Sequence, residues 1–348
     1  MSEDLRELSI GRHVSQSTPT VSIVIPNYNT AEFIAETLDS VFAQTFTDHE
    51  IIVINDASPD TVELNKALEP YYDRIIFIDK LNNSGTSATR NFASEQARAD
   101  IIAFLDADDI WHPTFLEELL AFKSAGDYQM AYADAETFGA FQEFGSDLLS
   151  TNPEQGTITR QQLILGKCHI LPSGTLIDAI PFRRSGGFDP GVKRTEDFDL
   201  WMHLAFDGVK IGYLKKILFR FRLRPGSGAG DSLQRIERCR DVWRILQQKL
   251  PFTAEENAQI EINVAHEEAA LTRAQGRLAI NERDWRTARK KFRTAYKMAG
   301  ELGLPVKHRV KMLGIWLALN VYPQAVYSQM QKMRPSEIAH MPQNRSLP

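Results

Sequence analysis

Only two cysteines, Cys168 and Cys239, occur in 348 residues. They cannot build a disulfide framework or a cysteine-rich zinc site, and a reducing compartment is the simpler expectation. No stretch reaches the roughly 18 consecutive apolar residues of a spanning helix; the nearest approach, MLGIWLALNVY (312–322), is too short. The opening residues, MSEDLRELSIGRHVSQSTPT, lack the apolar core of a signal peptide. A global excess of positive charge is missing too. The net charge is -5, so no overall basic field exists to hold nucleic acid, and no nucleic-acid partner is expected. These absences point to a cytoplasmic chain, with contact at the inner face of the membrane left open.

What is present is an ordinary globular composition, 43% apolar and 24% charged, over a length that suits one large domain and a smaller one. Residues 1–19 read as a flexible lead. The run VSIVIP (21–26) suits a strand buried on both faces, and Phe33, Ile34, Thr37, Leu38, Val41 and Phe42 follow at helical spacing. Further strands are expected at EIIVIND (50–56), RIIFID (74–79) and DIIAFLD (100–106), with a helix over 87–97. Strands alternating with helices imply βαβ units and a mostly parallel sheet, which binds ligands beyond the carboxyl ends of its strands.

Polar residues gather at those ends. The first strand runs into Pro26-Asn27-Tyr28-Asn29 and the second into Asn55-Asp56-Ala57-Ser58. The fourth runs into Asp106, Asp108 and Asp109, three like charges within four residues. A second acidic group, Thr195-Glu196-Asp197-Phe198-Asp199, opens a later helix. Each has a plain structural reading, as turn residues or as an acidic helix N-terminus. Their convergence on one sheet edge is what favours a site.

The series PNYN (26–29), FIAETLDSVFAQTF (33–46), INDAS (54–58), NSGTSATRN (83–91), FLDADDIW (104–111) and TEDFDLW (195–201), in this order over about residues 20–225, resembles the inverting family 2 glycosyltransferases of GT-A fold. The resemblance implies a GT-A nucleotide-sugar-binding domain over 20–228 and leaves an all-helical region over 229–348 uncovered. It implies a nucleotide-sugar donor, a UDP-sugar by preference, and a saccharide or lipid-linked acceptor. Breaking the donor's glycosidic bond leaves extra negative charge on a diphosphate, which a divalent cation, Mg²⁺ or Mn²⁺, stabilises. By resemblance, Asp108 holds that cation and Asp106 the ribose or a metal-bound water, while Asp109 supports them or caps the next helix. Asp56 and Asn55 take the uracil base and its ribose, with Pro26, Tyr28 and Asn29 packing beside them. Gly85 and Arg90 lie near the helix start that meets the diphosphate, with Arg90 reaching the diphosphate or supporting the carboxylates through a forked bond. Asp197 is the base that deprotonates the acceptor, and Glu196 orients acceptor or base.

At the position where relatives often carry a metal-ligating His, this chain has Arg224, which would meet the diphosphate directly under a closing loop 225–231. The Q-x-x-R-W signature of processive members is absent, which implies addition of single sugars, in cell-surface polysaccharide or glycolipid synthesis. The alternative reading is a nucleotide-sugar-binding scaffold without activity, carrying a helical interaction module. Between 283 and 334 stand 12 Lys or Arg against 2 Asp or Glu. That asymmetry, with the apolar stretch 312–322, would suit peripheral contact with an anionic membrane; the plain reading is that 312–322 packs on a helical hairpin.

Overall fold

The computed structural model describes residues 5–139, 153–193, 195–224 and 232–332. The chain divides into two compact units, 1–223 and 224–348. The division precedes the Gly- and Ser-rich stretch expected to end the first domain at 228, and residues 225–231 of that stretch lie outside the described ones.

The first correction falls on the expected flexible lead. Part of it is a strand, β1 (Leu5–Ile10), paired antiparallel with Ile76–Lys80. Gly11 follows, and its N–H donates to Ile75 O. A Cβ there would meet Tyr72 O at 2.3 Å, so only glycine lets the segment lie this close.

The apolar runs form strands β2 (Val21–Asn27), β3 (His49–Asn55), β4 (Ile76–Lys80) and β5 (Ile101–Phe104), with α1 (Ile34–Phe42), α2 (Thr61–Leu68) and α3 (Thr86–Glu95) between them. Successive side chains of a strand point to opposite faces. One face carries Val21, Ile23, Ile25, Ile51, Val53 and Phe77 into a core shared with Ile34, Leu38 and Val41 of α1. The other carries Phe104, whose ring lies 5.5 Å from Phe182 and 5.1 Å from Phe188. Burial on both sides is why these strands read as unbroken apolar runs.

After β5 come β6 (Ile110–Trp111), α4 (Phe115–Ala125), β7 (Met130–Gly139), β8 (Gly156–Ile158), α5 (Arg160–Ile164), β9 (Thr175–Asp178), α6 (Ala179–Arg184), α7 (Glu196–Phe206) and β10 (Ile211–Leu223). The sheet order is β1-β4-β3-β2-β5-β9-β7-β10-β6, with β8 also on β10. Strands β4, β3, β2, β5, β7 and β10 run one way; β1, β6, β8 and β9 oppose them. The mostly parallel sheet is therefore present, with four opposed strands added.

The inserted β9 has a positional consequence. An opposed strand begins where its neighbours end, so the 3-10 turn Pro172–Gly174 ahead of β9 stands at the carboxyl edge of β5. Strand β10 ends at that same edge. The register aligns Asn27, Asn55 and Asp79 side by side across β2, β3 and β4.

The second unit is helical: α8 (Ser232–Lys249), α9 (Ala254–Asn281), α10 (Trp285–Glu301), α11 (Val306–Val321) and α12 (Pro323–Lys332). Thr253 and Glu256 form a capping box on α9, and Asp284 accepts from Thr287 N to start α10. Leu271 and Ala279 of α9 are buried, whereas Leu278 is 46% exposed. Among the described residues no helix is long and apolar enough to cross a membrane.

Candidate functional site

The edge begins with two interlocked turns. Asn29, at φ 54°, and Ala57, at φ 51°, reverse the chain after β2 and β3. Asn29 N donates to Ser58 Oγ at 2.7 Å, Ala31 N to Asp60 Oδ2 at 2.8 Å and Asp56 N to Asn27 O at 3.0 Å. Pro26 is half-buried within β2, and Tyr28 stands 50% exposed on the turn. A half-exposed aromatic on a stapled turn offers a rigid stacking surface.

Asn55 is fully buried. Its amide donates to Asp79 Oδ1 at 2.8 Å and to Thr61 Oγ1 at 3.0 Å, and its Oδ1 accepts from Ser58 N at 3.1 Å. Both amide protons are used inside the fold. The side chain therefore ties the sheet edge to α2, and it has no amide proton left to donate to a base.

Asp56 is also buried, and it is paired with Lys80, a residue that sequence reading missed. Lys80 Nζ lies 2.8 Å from Asp56 Oδ1, and both side chains are 4% exposed. Ser84 N donates to Oδ1 at 3.0 Å and Gly85 N to Oδ2 at 2.9 Å; Lys80 also donates to Ser84 Oγ. The carboxylate thus shapes the turn into α3. Gly85, at φ 84°, makes that turn, in a conformation that favours glycine. Lys80 closes an apolar strand, where nothing local marks a buried lysine; its signal was the aspartate one strand away.

The acidic turn after β5 sorts its three carboxylates into different settings. Asp109 is buried; Ser173 Oγ donates to its Oδ2 at 2.6 Å and Arg222 N to its Oδ1 at 2.9 Å. Burial, then the charges of Asp108 and Asp106, hold it well above the usual carboxylate range. It does not cap α4, which begins later with Thr114 at the N-cap position. Ser173 bridges the turn, since its Oγ also accepts from Asp106 N at 3.0 Å. Arg222 Nε donates to Asp108 O at 2.7 Å and its Nη2 to Glu36 Oε2 at 2.5 Å, while its guanidinium lies 4.3 Å from the Phe138 ring and 4.6 Å from Phe33. Arg222 is thus a strand-end arginine bound to the acidic turn. Arg224 follows the last residue of β10 and opens the second unit; the loop expected to close with it, 225–231, lies outside the described residues.

The two acidic groups, some 90 residues apart in the chain, meet through Arg90 of α3. Its Nη2 donates to Asp106 Oδ1 at 2.5 Å and its Nη1 to Glu196 Oε1 at 3.1 Å. The side chain is 4% exposed, and its plane lies 5.1 Å from the Phe188 ring. Burial alone would lower the Arg90 pKa; Asp106, Glu196 and Asp197 outweigh it and raise the pKa. Asn91 faces elsewhere, donating to Phe188 O and accepting from Phe188 N. Asp197 Oδ1 accepts from Phe198 N at 2.7 Å. Burial first, then Glu196, push its pKa up to about 7. Thr195 occupies the N-cap position of α7 without a capping side-chain bond.

Among the described residues no three His, Cys, Asp or Glu side chains converge into a self-sufficient metal cage. The acidic turn fits a cation of another kind. Mg²⁺ is usually held by one or two carboxylates together with substrate phosphates. The negative charge of Asp108 and Asp106, which adds to burial in raising Asp109, is what such a cation would relieve.

The architecture is that of the GT-A class, an α/β sheet whose carboxyl edge carries the acidic turn. The model of glycosyl transferase family 2 matches residues 22–177. An uncharacterized glycosyltransferase of Rickettsia prowazekii is 30% identical over 251 residues, 70% of this chain and 76% of that protein. A Rickettsia felis relative is 29% identical over 252 residues, 70% of this chain but 40% of its own length. TuaG of Bacillus subtilis, whose name gives it a role in teichuronic acid biosynthesis, is 26% identical over 238 residues, 66% of this chain and 89% of that protein. Among solved structures, TarS of S. aureus in complex with UDP-GlcNAc superposes with a TM-score of 0.58 at 17% identity, over 90% of this chain and 92% of that one. A mannosyltransferase of Pyrobaculum calidifontis in complex with GDP-Man and Mn²⁺ gives 0.56 at 16%, over 92% and 86%. The chain belongs to the family 2 glycosyltransferases.

Proposed function

We propose that the protein is an inverting, non-processive glycosyltransferase that moves a sugar from a nucleotide diphosphate, a UDP-sugar by preference, to a hydroxyl acceptor. The observation that carries this is the Arg90 bridge, which holds the strand-end carboxylate Asp106 and the helix-start carboxylate Glu196 on one guanidinium. Inverting transfer needs charge handling on the leaving side and a base on the opposite side. Asp108 and Asp106 are the residues that would hold a divalent cation, Mg²⁺ or Mn²⁺, which when bound would neutralise the departing diphosphate. Tyr28 stacks the base, with Pro26 and Asn29 beside it. Asp56, committed to Lys80 and the 84–85 turn, acts by shaping the turn that leads to Gly85 and the diphosphate. Asp197, with a pKa near 7, takes the acceptor's proton, and Glu196 on Arg90 keeps its neighbour oriented.

The relatives support a place in cell-surface polysaccharide synthesis, through the teichuronic acid role in one name. The donors named with TarS and the archaeal mannosyltransferase support a nucleotide sugar. The acceptor is then a saccharide or a lipid-linked one, and the basic helical unit contacts the membrane that would carry it.

The test is a transfer and donor-hydrolysis screen with UDP- and GDP-sugars in Mg²⁺ and Mn²⁺. Asp197→Asn is expected to lower transfer by about 10²–10⁴-fold and Asp108→Asn by about 10²–10³-fold, both with unchanged circular dichroism. Turnover within a few-fold of the parent in either variant would remove that residue's role. Absence of binding to every nucleotide sugar would remove the reading itself.

A further inference from the structure

Helix α11 is apolar on two sides, and among the described residues only one packs on other helices of its unit. Met312 packs with Ala295 and Ala299, and Leu319 with Ala279, Ile280 and Phe292, while Ile315 and Trp316 border the latter cluster. Packing on the helical hairpin therefore accounts for one side of the stretch 312–322. It leaves out Val306, Val310, Leu317 and Val321, which are 70%, 60%, 51% and 64% exposed. With Gly314, these positions fall within about 80° of one another on a helix of 3.6 residues per turn, a stripe about 22 Å long. Such a stripe on a charged helical unit calls for an occupant.

The surrounding charge identifies it. Lys307 and Lys311 are exposed along one margin of the stripe. Burial, then Lys307, Arg273 and Lys311, hold His308 below its ordinary pKa, a sign of how concentrated the positive charge is there. A second copy of the chain, packed stripe to stripe, would set these lysines near their own mates, which costs energy in a symmetric interface. An anionic lipid surface meets both features at once: the apolar stripe enters the headgroup boundary and the lysines lie beside acidic headgroups.

We propose that the outward face of α11 seats the helical unit on an anionic membrane surface, with Val306, Val310, Leu317 and Val321 as the inserted residues and Lys307 and Lys311 as the headgroup contacts. This rests on the membrane contact proposed above and names the face that makes it. The full chain is floated with vesicles of phosphatidylcholine alone, and with vesicles of phosphatidylcholine and phosphatidylglycerol in equal amounts. Flotation is expected only with the second. The exposed double substitution Lys307→Gln/Lys311→Gln should weaken partitioning about 25-fold, about fivefold per lysine. Val310→Ser/Leu317→Ser should weaken it by about tenfold or more. Unchanged helical circular dichroism in both variants shows that the unit still folds. If the parent floats and both variants float equally well, the α11 face is overturned while the membrane contact stands. If the parent floats with neither vesicle, both are overturned. A concentration-dependent dimer that Val310→Ser/Leu317→Ser abolishes, without lipid binding by the parent, assigns the face to a second copy and also overturns the proposal.

Discussion

Asp109, in the turn after β5, and Asp197, in the first turn of α7, are both carboxylates held above the ordinary range, and burial is the largest cause in each. Their surroundings differ. Asp109 is clamped by donors from distant elements, Ser173 Oγ and Arg222 N. Asp197 accepts from Phe198 N, within its own helical turn, and its pKa is pushed up to about 7. One carboxylate is a joint that locks the acidic turn to β9 and β10. The other sits where it can lose and regain a proton near neutral pH. Residue type is shared; the number and origin of the donors separate the two acids, and under the proposed function the first is structural and the second reacting.

Removing the link between the two regions should have the largest effect. Arg90→Met leaves Asp106 and Glu196 without their buried partner, and loss of one member of a buried charge pair typically costs about 3–5 kcal/mol. Urea unfolding should show the midpoint falling. A midpoint within error of the parent would mean that Arg90 does not join the clusters in solution.

Next comes the joint itself. Asp109→Asn keeps the shape but replaces one acceptor oxygen by a donor facing Ser173 or Arg222 N. The expected cost is about 1–3 kcal/mol of stability, read by the same unfolding experiment. The matching substitution Asp197→Asn should cost little stability and most of the activity. If Asp109→Asn lost activity at full stability, the division of labour between the two acids would fail.

The smallest effect is the pH dependence. If Asp197 is the base, kcat/KM should fall about tenfold per pH unit below an apparent pKa near 7, a limb that Asp197→Asn removes. The sign for folding is opposite. The folded state binds this proton more tightly than the unfolded chain, so the group's stabilising contribution is full below about pH 4 and is lost as pH rises through about 7. The parent should gain stability relative to Asp197→Asn on acidification from pH 8 to pH 5. A profile flat across neutrality would assign the base elsewhere.

Much of the first unit was legible because its signals are local. Strands β2 to β5 announce themselves as apolar runs, since burial on both faces removes alternation, and the carboxylates stand out at their ends. What escaped reading was non-local. Lys80 looks like an ordinary strand-end lysine until β3 brings Asp56 beside it. Ser173 gains its role because β9 enters the sheet antiparallel next to β5. Strand β1 is short and polar-faced, with no periodicity to separate it from a loose lead.

By itself, the order of residues determined the βαβ layout, the sheet edge where polar groups collect and the two acidic clusters, because hydrophobic periodicity and strand length act over a few residues. Only the tertiary structure decided that Arg90 joins those clusters, that Arg222 reaches the acidic turn, that Asn55 spends both amide protons inside the fold and that α11 keeps a row of exposed apolar residues. Each of these depends on which distant groups share one small volume, and there a buried hydrogen bond or charge is satisfied or left wanting according to partners that no local window contains.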